Sequence, residues 1–177
     1  MQKDIKDLKV LFSNKEIIEK IKQQAQILNS IYDNNKTLIM ICILKGAVMF
    51  YSELVKHLKM PVQMEFISLS SYGSYTKSTG EIKTINLTLP DLKDKNVLIV
   101  EDIIDTGLTL EFLTKYIKKN CEVKDLKLIT LFNKKCARKY NIEPDFYCFD
   151  IDDKFIVGFG LDYCGLCRNL DYIGYFE

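Results

Sequence analysis

The sequence predicts an α/β fold, an open, mainly parallel twisted sheet flanked by helices. Apolar runs rich in β-branched residues, too short for helices, recur at 38–44, 97–100 and 126–132. Such runs fit strands buried on both faces. Stretches with apolar residues at helical spacing separate them, and strands alternating with helices form right-handed crossover units around a parallel sheet. Ligands in such sheets bind beyond the carboxyl ends of the strands.

Taken in order, Ser13 and Glu16 form an S-x-x-E capping box ahead of Ile17, Ile21, Leu28 and Ile31, which predicts an amphipathic helix to about Tyr32. Leu38 to Leu44 is a continuous apolar run bounded by Lys45-Gly46, and a helix over Ala47 to Leu58 and a strand over Val62 to Leu69 follow. The segment Ser70 to Thr84 is dense in Ser, Thr, Gly and Lys without hydrophobic period, so it is expected as a long mobile loop. A loop of that length inside a compact domain is usually functional. Strand Val97 to Val100, a helix from near Leu108, strand Leu126 to Phe132 and short strands at Phe146 to Ile151 and Phe155 to Phe159 complete the pattern.

A chain of 177 residues, 47% hydrophobic and 28% charged, with three prolines and no repeat or linker, is expected to form one domain over 1–177. Its formal net charge of +1 gives no electrostatic footprint for nucleic acid or a membrane surface, so any anion must be held locally. The opening MQKDIKDLKVLF lacks the pattern of a secretory signal, and no apolar run approaches a membrane span, so a cytoplasmic protein is expected. The six cysteines are accordingly expected as reduced thiols.

The most informative stretch is VLIVEDIIDTGLT, residues 97–109. Thr106, Gly107 and Thr109 lie where a strand turns into a helix, so successive N–H groups and the helix dipole favour an anion there, and Gly107 lets the backbone approach closely. Glu101, Asp102 and Asp105 would repel a phosphate sharing their position; they must face sugar hydroxyls, a metal ion or a titrating proton. Together these features suit a sugar phosphate. The string is neither a P-loop nor a dinucleotide fingerprint.

VLIVEDIIDTGLTL resembles the phosphoribosyl-pyrophosphate signature of type I phosphoribosyltransferases. ILKGA (43–47), SSYGS (70–74), STGEIK (78–83), Pro144-Asp145-Phe146, DKFIVG (153–158) and LDY (161–163) are similar, in the same order, to the hypoxanthine-guanine phosphoribosyltransferase family. The resemblance covers most of the chain from about residue 38. It implies a core over about 36–150 and a small hood from about 1–12 and 151–177.

It further implies purine salvage: transfer of the 5-phosphoribosyl group from phosphoribosyl pyrophosphate to N9 of hypoxanthine or guanine, giving IMP or GMP and pyrophosphate, with Mg2+ as cofactor. Glu101 and Asp102 would hold the ribose hydroxyls, directly or through the magnesium shell, with Asp162 also serving the metal. Asp105 would exchange a proton with purine N7, and Asp105, Thr106, Gly107, Leu108 and Thr109 would cradle the 5′-phosphate. Lys45 and Gly46 would form the pyrophosphate loop, with a cis peptide before the Lys, and Arg168 would neutralise pyrophosphate.

Lys134 would donate to the purine 6-oxo group and so exclude adenine, Phe155 would stack on the base, and Ile156 and Asp162 would offer backbone carbonyls to its N1 and 2-amino edge. Ser71 and Tyr72 in the mobile loop would close over the site. The family also implies a homodimer or homotetramer. Alternatives are a xanthine-preferring relative or a regulator that keeps the fold to sense phosphoribosyl pyrophosphate. One departure is Cys164-Gly165-Leu166-Cys167, where relatives carry polar and aromatic residues; without the context of a redox or zinc motif its expected role is packing.

Overall fold

The computed structural model describes residues 7–71, 82–86 and 88–176. Tyr72 and the Ser78-Thr79-Gly80 motif lie outside them. The elements run β1 (Lys9–Phe12), α1 (Asn14–Ile31), β2 (Leu38–Leu44), α2 (Val48–Val55), β3 (Val62–Ser71), β4 (Ile82–Asn86), β5 (Asn96–Ile104), α3 (Leu108–Asn120), β6 (Asp125–Asn133), a 3₁₀ turn at Lys135–Ala137, β7 (Phe146–Asp150), β8 (Ile156–Val157) and β9 (Ile173–Tyr175).

The main sheet has strand order β4-β3-β2-β5-β6-β7. The five strands from β3 to β7 are parallel, and β4 adds an antiparallel edge. Alternation along the central strands divides the apolar core between two faces. Met40, Cys42, Leu98 and Val100 pack with Ile17, Ile21, Leu28, Phe50 and Leu54 of α1 and α2. Ile39, Ile41, Ile43, Val97 and Ile99 pack with Leu110, Leu113 and Ile117 of α3. This is why β2 reads as unbroken apolar sequence: both of its faces are covered.

Several sequence expectations are sharpened. The capping box is present, with Ser13 Oγ accepting from the Glu16 N–H and Glu16 accepting from the Ser13 N–H. Ile31, expected on the buried face of α1, is instead exposed, because the helix ends there and Tyr32 turns inward in its place. The second helix is shorter than expected, Val48–Val55. Part of the stretch expected as loop is strand: β3 continues to Ser71 and pairs with β4, with Ser71 opposite Ile82. The expected strand at Phe155 to Phe159 reduces to Ile156–Val157.

A second, three-stranded sheet of order β1-β9-β8 joins sequence from near both ends, and neither β1 nor β9 was evident from pattern. It is fastened to the main core by aromatic stacking: Phe12 lies 4.2 Å from Phe149 and 5.9 Å from Phe132, centroid to centroid. Such pairs contribute about 0.5–1.5 kcal/mol beyond area burial. No helix among the described residues is long and apolar enough to cross a membrane.

Candidate functional site

Between β2 and β5 the strand order reverses, since β2 connects outward to β3 on one side and β5 to β6 and β7 on the other. A crevice opens at such a switch point beyond the strand ends. Here it is a cavity of about 440 Å³, walled by Leu44 and Gly46 after β2, by Glu101, Asp102 and Asp105 to Thr109 from β5 and the turn that follows it, and by Asp162 and Arg168 from the opposite side. The peptide joining Leu44 to Lys45 is cis. Lys45 itself is exposed, and the backbone beyond it runs against Asp102: a Cβ on Gly46 would stand 1.6 Å from Asp102 Oδ2. Only glycine allows this approach.

The strand carrying the acidic residues is longer than the apolar run, for β5 continues through Ile104 in constant parallel register with β6. Beyond Val100 the facial alternation changes: Ile103 packs toward the α1 and α2 face, and Ile104 toward α3. At that break Asp102 Oδ1 accepts the Ile103 N–H at 2.7 Å, and buried Thr130 donates its hydroxyl to the Asp102 carbonyl at 3.2 Å. Glu101 Oε2 is shielded from solvent and has no hydrogen-bond partner. Burial, then the neighbouring Asp102 charge, pushes the Glu101 carboxyl well above its usual range. Asp102 is also raised by burial, moderated by hydrogen bonding with Glu101 and the Ile103 N–H and by Arg168. Two adjacent carboxylates with too few donors are a site built for donors that a ligand brings.

At the turn into α3, Gly107 takes a left-handed conformation, φ 89°, and Thr106 Oγ1 accepts the Leu108 N–H at 3.4 Å. The turn is braced from behind by the segment after β6. The Lys139 and Tyr140 N–H groups both donate to the Thr106 carbonyl, at 3.0 and 3.1 Å. Arg138, donating to Asn133 Oδ1 and the Ile142 carbonyl at 2.6 Å each, lies close under Gly107 with Ile142. The start of α3 therefore meets the cavity as a held turn whose dipole favours an anion.

Opposite it, Arg168 is fixed twice, to Asp162 Oδ1 at 2.5 Å and to the Gly160 carbonyl at 2.7 Å. Gly160 sits at φ 103°, where a Cβ would be 2.0 Å from the Gly46 carbonyl oxygen. The two loops thus touch backbone to backbone. The Cys-x-x-Cys segment is a tight hairpin in which Tyr163 and Leu166 exchange hydrogen bonds of 3.0 Å, with Cys164 and Gly165 at positive φ at its tip. Such a tip matches the twist of a two-residue hairpin. Its Gly165 N–H donates to Asp162 Oδ2 at 2.8 Å, so the departure from the family pattern supports Asp162 and leaves Arg168 facing the cavity.

Lys134, Phe155 and Ile156 do not line this cavity. Lys134 follows β6 and is largely shielded, its ammonium 2.7 Å from Asp153 Oδ1. Phe155 is 58% exposed and meets Tyr163 edge to face at 6.1 Å, while Ile156 is buried in β8. Among the described residues no group of three His, Cys, Asp or Glu side chains stands ready to cage a metal. The donor set nevertheless fits magnesium, which is commonly held by one or two carboxylates together with substrate phosphates. Glu101, with its unpartnered buried oxygen, and Asp102 would be those carboxylates.

Sequence reasoning gave no role to Thr130, Arg138, Asp153 or Gly160. Thr130 and Asp153 matter through a partner about 20 or more positions away and Gly160 through a backbone angle, while Arg138, whose hydrogen bonds are local, matters through its contact with the distant Gly107.

Residues 7–164 match the model of the phosphoribosyl transferase domain family. The hypoxanthine-guanine phosphoribosyltransferase of Streptococcus thermophilus is 42% identical over 98% of this chain and 94% of its own length, and that of Bacillus subtilis is equally similar. Among solved structures, a hypoxanthine phosphoribosyltransferase from Staphylococcus aureus superposes with a TM-score of 0.91 at 38% identity, covering 97% of this chain and 93% of that one. A Trypanosoma cruzi hypoxanthine phosphoribosyltransferase, in complex with the product IMP, superposes with a TM-score of 0.89 at 32% identity over 99% and 97%. A switch-point cavity with an acidic pair on one strand and a braced turn opening the next helix thus stands in a chain that belongs to the phosphoribosyltransferase family, in its hypoxanthine-guanine branch.

Proposed function

We propose that this chain transfers the 5-phosphoribosyl group of phosphoribosyl pyrophosphate to N9 of hypoxanthine or guanine, yielding IMP or GMP and pyrophosphate in purine salvage. The observation that carries the proposal is the composite wall of the cavity: the underpartnered Glu101 and Asp102, the braced turn at 105–109 and the fixed Arg168 face one space. A ligand with a diol and two separate phosphate groups answers all three. The relatives' names supply the purine.

In this reading Glu101 and Asp102 accept from the ribose hydroxyls, and their negative charge favours the cationic sugar as the bond to pyrophosphate breaks. The backbone of Asp105, Thr106, Gly107, Leu108 and Thr109 holds the 5′-phosphate. Lys45, Gly46 and Arg168 hold the leaving pyrophosphate, and magnesium, when bound, would supply further neutralisation of its charge. Asp105 exchanges a proton with purine N7. Lys134 donates to the 6-oxo group, Phe155 covers the base, and the backbone carbonyls of Ile156 and Asp162 meet its opposite edge. The small sheet serves as the hood over this base-binding side, and the enzyme works as a homodimer or homotetramer.

The test is pyrophosphate release with each of hypoxanthine, guanine, xanthine and adenine, in the presence of magnesium. Turnover with hypoxanthine and guanine is expected, none with adenine; xanthine alone as substrate would overturn the assignment. In Asp105→Asn, kcat should fall about 100-fold or more with base affinity changed far less. Equal activity in that variant would remove Asp105 from the chemistry.

A further inference from the structure

We infer that Asp153 is a positioning residue for Lys134, which it holds as a pure hydrogen-bond donor aimed at an oxygen-bearing base edge, and that Asp153 thereby helps set selectivity against amino-bearing bases. The inference rests on the proposed purine reading of Lys134.

The arrangement is built rather than incidental. Asp153 is the central residue of a γ-turn, closed by the Lys154 N–H donating to the Asp152 carbonyl at 2.7 Å. The turn is anchored at both ends. Before it, the Ile151 N–H donates to the Asn133 carbonyl at 3.1 Å, and Asn133 and Lys135 both bond Asp150. After it, the Lys154 ammonium lies 4.6 Å from the centre of the Tyr175 ring in β9. The tip so presented puts a carboxylate oxygen 2.7 Å from the Lys134 ammonium, and the Lys154 carbonyl is 3.5 Å away.

An ammonium has three donors and no acceptor. With two turned toward the 153–154 turn, one N–H remains directed by the other two. A neutral amine would behave differently, since its lone pair can accept from a 6-amino group, and the distinction between oxo and amino bases would weaken. The titratable groups facing Lys134 are Asp153 from the β7–β8 turn, Asp105 from the β5–α3 turn and the Cys136 thiol from its own 3₁₀ turn. The hydrogen bond to Asp153 is the largest cause raising the ammonium's pKa, with burial opposing it. Asp153 is 85% exposed, so its effect is moderated by solvent.

Asp153→Asn, Asp153→Glu and Lys134→Ala test this by steady-state kinetics and by NMR titration of the Lys134 side chain in ligand-free protein. In Asp153→Asn the KM for hypoxanthine should rise about fivefold, with kcat and the KM for phosphoribosyl pyrophosphate within about twofold of wild type. The alkaline limb of kcat/KM and the Lys134 titration should both move to lower pH, and Asp153→Glu should restore most of the loss. In a Lys134→Ala background Asp153→Asn should add nothing. If Lys134→Ala itself leaves the hypoxanthine KM unchanged, the purine reading of Lys134 falls and the inference with it. If Lys134→Ala raises that KM while Asp153→Asn changes neither it nor the Lys134 titration, the inference alone falls.

Discussion

Glu101 ends in an oxygen that neither solvent nor a donor reaches, beside a second carboxylate in the same strand. Residues of this kind are retained for what they bind, at a cost to the unliganded fold. Replacing Glu101 by Gln removes the charge and keeps the shape. The metal-free variant should melt about 2–4 °C higher, the shift that about 1 kcal/mol gives in a domain of this size, while kcat/KM falls by about two orders of magnitude. A calorimetric scan and an initial-rate assay check the two halves; a variant that melts lower would show that the pair is already satisfied in the free protein. The three carboxylates and the Thr/Gly turn were legible as a sugar-phosphate site because they adjoin in sequence. Thr130 and Asp153 were not, since a buried Thr on a strand and an Asp in an acidic turn look like countless others until the partner strand or turn is in place.

At the scale of elements, the cavity depends on contacts between loops that are distant in the chain. Gly160 is the clearest case, because its positive φ and the Gly46 carbonyl both forbid a side chain. Gly160→Ala should cost at least about 2 kcal/mol, lowering Tm by roughly 5 °C. It should also raise the KM for phosphoribosyl pyrophosphate, since the Gly160 carbonyl anchors Arg168. Thermal denaturation with and without ligand separates the two effects. Helix α1 and strand β2 were legible almost to the residue, one from its capping box and the other from its unbroken apolar run. Strands β1, β4 and β9 were not, because each is short or polar and becomes a strand only through its neighbour.

For the whole molecule, the core on the α1 and α2 face of the sheet isolates groups that would otherwise titrate or react. Burial pushes the Cys42 and Cys148 thiols up to about 12, with Glu101 and Asp102 adding to the effect at Cys42. In the unfolded chain these thiols ionise near 9.0. The folded protein therefore holds protons that the unfolded chain releases between these values, and stability falls as pH rises through that window. Urea denaturation at pH 8, 9 and 10 should show a falling midpoint, and Cys42→Ser and Cys148→Ser should each reduce the fall. Iodoacetamide at pH 8 should label exposed Cys136 and Cys164 in the native protein and reach Cys42 and Cys148 only after denaturation.

The order β1-β9-β8 has a further consequence during synthesis. The five parallel strands of the main sheet are complete once Asp150 has left the ribosome, whereas β8, beside Phe155 and the Asp153 turn, has no strand partner until Ile173–Tyr175 emerges. A nascent chain can thus form the β2 and β5 walls of its cavity while the Asp162 and Arg168 wall and the base side are still unfinished. Ribosome-stalled chains in which an added C-terminal linker carries the sequence up to residue 155–170 clear of the exit tunnel should be folded in the core yet unable to distinguish one purine from another.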